Sequence, residues 1–481
     1  MIWDGLQVHW FKCMISALIV GVLLIVKSII LPPSNFPKSI PTIPFYVSFL
    51  GAYTSMDQEE IYNYYMREKL EKYGAAKLYF ASRWNIVIIE PELLLQLFKN
   101  ENIYAKSGNQ EKIPYSVLAQ YTGENIISAH GEKWRLYRRV VASSVQFPNM
   151  EPIVENSKRF LDVLHQELIN NSPIEIIDLL QRYTLANIGD SVLGVKFNTM
   201  EEKDTEIHKR IKHVKRQIFQ PLYMNFPFLD KLPIASRMEA RKEVAQFRSY
   251  FSNILKTCQN FGRETGASRL RQALDNNTLT EKEFTDNGII LMVAGHENPL
   301  LLLLSLFYIV AKYPEVQQKI RQENGDNEAP YLNSVICECL RMLPPLGQII
   351  NRRTTENVIL GSNIRIPKGT YVGYNNFGTG RHRKIWGESA DEFKPERWGK
   401  TPQEISRKYL EAKIKANLPA FHGRKRACLG EKFALEEVRV LIQTLLQMYQ
   451  LSLDPNWVEK ITPAGPICPL GLKIKFKKIE F

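Results

Sequence analysis

The stretch Phe421-His422-Gly423-Arg424-Lys425-Arg426-Ala427-Cys428-Leu429-Gly430, running on into EKFALEEVRVLIQTLL, decides the fold. Apolar residues recur at helical spacing from Phe433 onward, so the pattern predicts a helix over about 430–450 with Cys428 in the loop that enters it. A helix N-terminus and the neighbouring Arg424, Lys425 and Arg426 favour a thiolate, which can ligate a metal or attack an electrophile. Gly423 permits a tight turn, and Gly430 leaves the backbone bare where a flat cofactor could press against it. Phe421 can cover the sulfur from water, while Arg426 offers donors to a cofactor carboxylate. A lone cysteine beside arginines is more often structural; the spacing of the whole run sets Cys428 apart.

The rest of the chain fits one large catalytic unit. With 481 residues, 44% hydrophobic and 23% charged, it can bury a large core, which excludes a disordered tail or a collagen-like repeat. No Gly/Ser-rich or Pro-rich linker follows residue 50. Six scattered cysteines (Cys13, Cys258, Cys337, Cys339, Cys428, Cys468) without a CxxC pair exclude a disulfide scaffold and a zinc ribbon, and imply a reducing environment. The net charge of +13 raises nucleic acid as a partner, but the densest basic run, HKRIKHVKR at 208–216, reads as the solvated face of a helix and no nucleic-acid motif accompanies it. An anionic membrane or an acidic protein surface accounts for the charge instead.

At the N-terminus, residues 13–26 form an uncharged apolar run that extends to Leu31 if Lys27 snorkels. No small-residue cleavage site follows, so residues 1–31 are expected to be a retained membrane anchor. Five prolines between 32 and 44 make residues 32–50 a stiff spacer, leaving 51–481 as a single domain. Lys27 and Lys38 after the span place that domain on the cytosolic side. Amphipathic stretches at 57–73, 150–170, 236–261 and 430–450, with short β-rich patches near 77–90, 357–372 and 471–477, predict a mainly α protein with small β-sheets.

Read as FxxGxRxCxG, with Gly423 as its first glycine, the cysteine stretch resembles the signature of the cytochrome P450 family, the haem-thiolate monooxygenases. Other family marks stand in order from about residue 45 to the end. ECLR at 338–341 and PERW at 395–398 resemble the motifs whose Glu, Arg and Arg form a buried ion network behind the haem, here Glu338, Arg341 and Arg397. Trp134 and Arg138, at i and i+4, resemble the pair that clamps a haem propionate. Arg352 resembles a further propionate contact, with Arg353 next to it as the competing choice. The resemblance implies haem b with Cys428 as axial ligand, O2 as oxidant, and NADPH electrons delivered by a membrane-bound flavoprotein reductase. An acidic docking surface on that partner would suit Lys133, Arg135, Arg139, Arg424, Lys425 and Lys432.

Residues 288–310, GIILMVAGHENPLLLLLSLFYIV, read as a buried helix rather than a second span, because His296, Glu297, Asn298 and Pro299 interrupt the run. The stretch resembles the family's oxygen-binding helix, with Ala294, Gly295 and Glu297 in place and Asn298 where a threonine is usual. An amide cannot relay a proton as a hydroxyl does, but it can hold a water, so a water-mediated relay from Glu297 is expected. Long runs, among them INRRTTENVILGSNIRIPKGTYVGYNNFGTGR and TPAGPICPLGLKIKF, are similar to the spore-wall branch of the family, which couples two N-formyltyrosines to bisformyl-dityrosine. That resemblance implies a small aromatic substrate, a role in sporulation and an endoplasmic-reticulum membrane. Tyr104, Lys106, Lys112, Tyr115 and Tyr121 fall in the segment that caps the haem. A lipid or sterol hydroxylase and a non-catalytic haem-binding protein stay open as alternatives.

Overall fold

The computed structural model describes residues 2–257, 264–323 and 328–480. Helix α1 (Ile2–Ile30) stands apart from the body, and its segment Lys12–Ile30, of mean hydropathy 2.6, is long and apolar enough to cross a membrane. Its side chains from Met14 to Leu31 are largely exposed, which suggests an anchor whose solvent is lipid rather than water.

The body is helical, with three small sheets. Its strands are β1 (Ala75–Phe80), β2 (Arg83–Ile88), β3 (Tyr104–Lys106), β4 (Ile174–Glu175), β5 (Gln348–Thr354), β6 (Val358–Leu360), β7 (Ile364–Ile366), β8 (Tyr371–Asn375), β9 (Tyr449–Leu453) and β10 (Lys473–Lys478). The main sheet runs β1-β2-β8-β5-β3. Its β1–β2 hairpin turns at Ala81 and Ser82, both with positive φ, as a two-residue hairpin loop demands. Patches 77–90 and 357–372 fall within this sheet and the β6–β7 pair. β5 was not expected, because its two arginines break the apolar alternation by which a strand is read.

Helices α2 (Gly131–Gln146), α3 (Ile177–Asn187), α4 (Glu206–Ile218), α5 (Glu281–Lys312), α6 (Pro330–Met342) and α7 (Glu431–Met448) build the core. α5 is buried over two thirds of its apolar window and packs on α3 and α7, which settles the buried-helix reading of 288–310. The 150–170 stretch forms Glu151–Asn170. The 236–261 stretch forms Ala235–Thr257, its last residues lying outside the described ones. The 57–73 stretch is interrupted by a π turn at Tyr62–Met66, through which Tyr62 keeps an edge-on contact with Phe377 at 5.5 Å.

Candidate active site

Cys428 opens onto a cavity of about 270 Å³ between α5 and the start of α7. Ala294, Gly295, Asn298 and Pro299 supply the α5 wall; Phe433 and Ala434 of α7, with Phe421 and residues 427–430, supply the cysteine side. A larger concavity of about 1080 Å³ lies at Asn149, Asn156 and Asp190, away from this sulfur. The Cys428 amide donates to the Phe421 carbonyl at 2.9 Å, closing the loop. A Cβ built on Gly430 would meet only Val145 at 3.6 Å, so the backbone there is bare on the cavity side.

Two expectations about this loop need correction. Counted back from Cys428, the first glycine of the signature falls on Arg424, not on Gly423. Arg424 adopts φ +57°, the left-handed backbone that a glycine takes without a Cβ penalty, and His422 before it has φ +60°. Gly423 itself is extended and serves close packing, since a Cβ there would lie 2.7 Å from the Phe98 ring. Nor is the sulfur held as a thiolate by the three motif cations. Burial pushes its pKa up to about 11, against the opposing pull of the Gly430 and Glu431 amides and Lys413.

Along one edge of the cavity, cations gather with little to balance them. Lys106 on β3 and Arg352 on β5 pair in register, 3% and 1% exposed. Burial depresses the Lys106 ammonium, with Arg352 and Arg426 adding repulsion, and pushes His422 down likewise. Arg426 donates to the Ala129 carbonyl at 2.7 Å and lies over the Trp134 ring at 4.5 Å, with burial lowering its pKa to about 10. Arg138 sits over the same ring at 5.7 Å. The carboxylate at hand is Glu101, 3.2 Å from Arg426. Arg426 Nη1 makes that ion pair, whereas Arg352 Nε and Nη2 are buried without hydrogen-bond partners among the described residues. Orphaned cationic donors of this kind call for an anion. The propionates of a haem, which Cys428 would hold and bare Gly430 would leave room for, would fit that demand. Arg352 is buried beside this edge and donates to the Tyr104 carbonyl at 3.0 Å, whereas Arg353 is exposed on the opposite side of the strand and donates to the Gly369 carbonyl. Lys106 was expected over the haem but not beside Arg352, where the β3–β5 register puts it; His422 and Glu101 were not expected at a cofactor, and nothing in their spacing marks them.

On α5, Ala294, Gly295 and Asn298 line the cavity, but Glu297 does not. Its carboxylate lies 2.7 Å from the Lys215 ammonium of α4 and 2.9 Å from the His296 ring. Burial alone would raise its pKa, yet His296 and Lys215 hold it near 2. Asn298 donates its amide to the Ala294 carbonyl at 3.3 Å, which leaves its oxygen as the group free to accept. Gly295 is required by packing, as a Cβ there would fall 2.2 Å from Ile188. Of the five cap residues, Lys106 reaches this cavity; Tyr104 and Tyr121 are core, Lys112 lies between the Phe80 and Tyr371 rings, and Tyr115 packs under Lys231.

Behind the cysteine loop, Glu338 and Arg341 on α6 are both 0% exposed and bonded at 2.7 and 2.9 Å. Arg397 Nε and Trp398 Nε1 complete the Glu338 carboxylate at 2.8 and 3.0 Å. Arg341 spends its remaining donors on the carbonyls of Gly380, Ala390 and Glu392. The six docking cations are exposed, with Lys133 bonded to Glu124 and Arg135 to Glu132.

Comparison with known proteins agrees with this geometry. A family model described as Cytochrome P450 matches residues 37–479. The chain is 47% identical to cytochrome P450-DIT2 of Saccharomyces cerevisiae over 465 residues, covering 94% of this chain and 95% of that one. It is 35% identical to cytochrome P450 monooxygenase xanG of Aspergillus fumigatus, covering 92% and 87%. A crystal structure of a cytochrome P450, CYP102L1, superposes with a TM-score of 0.72 at 20% identity, covering 86% of this chain and 98% of that one.

Proposed function

The chain belongs to the cytochrome P450 family, and from that premise we propose that it joins two N-formyl-L-tyrosines, ring to ring, into N,N'-bisformyl-dityrosine for the spore wall. As a member it is a haem-thiolate oxidoreductase of the monooxygenase type, using O2 and electrons that a reductase passes from NAD(P)H. Cys428 would hold the haem, which would supply oxygen activation favoured by electron density from the sulfur. Each phenol gives up one hydrogen atom and a carbon–carbon bond forms ortho to the two hydroxyls. With two further electrons and two protons from the reductant side, O2 leaves as two waters, so no oxygen enters the product.

The observation that carries the substrate reading is the similarity to the yeast relative across nearly the whole chain. The site is compatible with it. In a mostly apolar cavity, Lys106 offers N–H donors to a carboxylate, which would draw it back to the charged form, and Asn351 Oδ1 is buried with no hydrogen-bond partner among the described residues, an acceptor waiting for a phenol O–H or a formamide N–H. The Asn298 oxygen is a second acceptor. Proton supply from Glu297 through water requires that carboxylate to leave Lys215 and His296 first. Apolar walls such as Ile126, Ile188, Val192 and Leu302 favour, as a second reading, hydroxylation of a lipid or sterol.

We place the catalytic body on the cytosolic face of the endoplasmic reticulum, held by α1. Incubation with reductase, NADPH and N-formyltyrosine tests the reading. A dityrosine-type product by mass spectrometry supports it; its absence, with low-spin to high-spin shifts given by apolar ligands only, selects the hydroxylase. Cys428→Ala should abolish the thiolate-type Soret band of the reduced carbon-monoxide complex, and the absence of reductase-supported oxygen uptake would leave only haem binding.

A further inference from the structure

A second concavity, of about 550 Å³, lies on the side of the main sheet facing away from the cofactor site. Alternation along β5 sends Arg352 to one side and Arg353 to the other. Arg83, Arg353 and Lys368 line this concavity, against one carboxylate, Glu111, which accepts from Ser107 at 2.8 Å. These cations are poorly satisfied. Arg83 donates Nη2 to the Lys112 carbonyl at 2.6 Å but its Nε is buried without a partner, Arg353 has a 3.3 Å bond to the Gly369 carbonyl, and the Lys368 ammonium has no partner among the described residues. The Arg83 and Arg353 guanidinium carbons lie 5.0 and 5.9 Å from the Tyr371 ring centroid, so the ring holds two like charges in one place.

Position distinguishes this pocket from an ordinary basic patch. Its remaining wall is apolar, made by Trp84 and by Pro33 and Phe36 of the spacer. Trp84 Nε1 donates to the Ser28 carbonyl at 3.1 Å, fastening the pocket to the last turns of α1. If Lys12–Ile30 fills the hydrocarbon layer, Ser28 stands at its boundary and the pocket at the depth of lipid headgroups. An indole at that level, with cations just beyond it, matches the order of acyl chain, glycerol and phosphate in a lipid.

We propose that this pocket binds the headgroup phosphate of an anionic phospholipid, with the glycerol end against Trp84 and Phe36. The proposal rests on α1 as a membrane anchor. Free phosphate or a substrate carboxylate could satisfy the cations, but neither would use the apolar wall or the place beside α1. The pocket also shares β5 with the propionate-facing cluster, Arg352 pairing with Lys106 on one side and Arg353 with Tyr371 on the other. A bound headgroup would therefore brace the sheet from its outer face.

The test uses the full-length holoprotein in detergent and native mass spectrometry with dihexanoyl-phosphatidylserine, dihexanoyl-phosphatidylcholine, inorganic phosphate and N-formyltyrosine. One phosphatidylserine per chain is expected, retained with a preference of roughly tenfold over phosphatidylcholine. The preference should vanish in Arg353→Gln/Lys368→Gln, whose two side chains are exposed and should not disturb folding. Equal retention of both lipids, or an unchanged preference in the double variant, overturns the proposal. So does displacement of phosphatidylserine by equimolar phosphate or N-formyltyrosine, which would make the pocket a general anion or substrate site. Because the short-chain lipids need no bilayer, this result is independent of whether α1 spans; carbonate-resistant membrane association reports that separately.

Discussion

Two buried arginine clusters flank the cysteine loop, and they are built on opposite principles. Behind it, Arg341, Arg397 and Trp398 converge on Glu338, and the guanidinium groups finish their donors on backbone carbonyls. On the cavity edge, Lys106, Arg352 and Arg426 face each other with Glu101 as their carboxylate, and two Arg352 guanidinium nitrogens have no hydrogen-bond partner among the described residues. A charge network that is complete without a ligand holds the fold. One that is incomplete is held in place by the fold until a ligand arrives.

The contrast breaks first, and most severely, at Glu338. Glu338→Ala leaves Arg341 fully buried and unpaired, so a loss of about 3–5 kcal/mol is expected, read as a fall in the urea midpoint with or without haem. Arg352→Met should behave in the opposite way. Without haem it removes a strained positive charge, so the apoprotein is expected to be no less stable than the parent. With haem it deletes charge-assisted bonds, and release to an excess of acceptor globin should quicken by roughly 10–100-fold. Equal destabilisation of apo and holo forms would show that the cavity cluster is also a structural knot.

Much of this contrast was legible in the sequence. The cysteine loop, the ECLR and PERW motifs and the α5 segment are local patterns, and each supplied residues that the fold brings to the predicted neighbourhood. Sheet register was not legible. Lys106, Arg352 and His422 come from three separate segments, and only the β3–β5 pairing and the turn at His422 join them. The Glu297 contacts were hidden for a related reason. Its motif identifies the helix, but its orientation is decided by Lys215 on α4, about 80 residues away. The Asn298 substitution was visible at once, whereas the bond to Ala294 that turns its oxygen into the free acceptor needed the helix geometry.

A third buried cation sharpens the comparison. Lys112 has the faces of Phe80 and Tyr371 and no carboxylate, and burial, with repulsion from Arg83, lowers its pKa to about 7. Between that value and the ordinary lysine range the unfolded chain binds a proton that the folded chain does not. Stability contributed by this site therefore rises with pH from about 7 to about 10. Lys112→Met should lose that rise, so its urea midpoint is expected to approach or pass that of the parent at pH 7 and to fall behind as pH increases. Parallel pH profiles for the two proteins would mean that Lys112 keeps its charge, stabilised by the two rings.

The smallest expected effect lies between the two clusters, in the loop that joins them. Arg424 holds a left-handed backbone at the place the family signature gives to glycine, and a side chain there costs about 1–2 kcal/mol. Glycine also widens the unfolded ensemble, which offsets part of the gain. Arg424→Gly is thus expected to raise the holoprotein's stability by about 1 kcal/mol or less, while the exposed cation it removes slows electron transfer from the reductase at low ionic strength. A more stable variant with slower, less salt-sensitive reduction would mean that this chain gives up backbone ease for a charge on the docking face. If reduction is unchanged, the arginine serves neither cluster and the strain has no functional return.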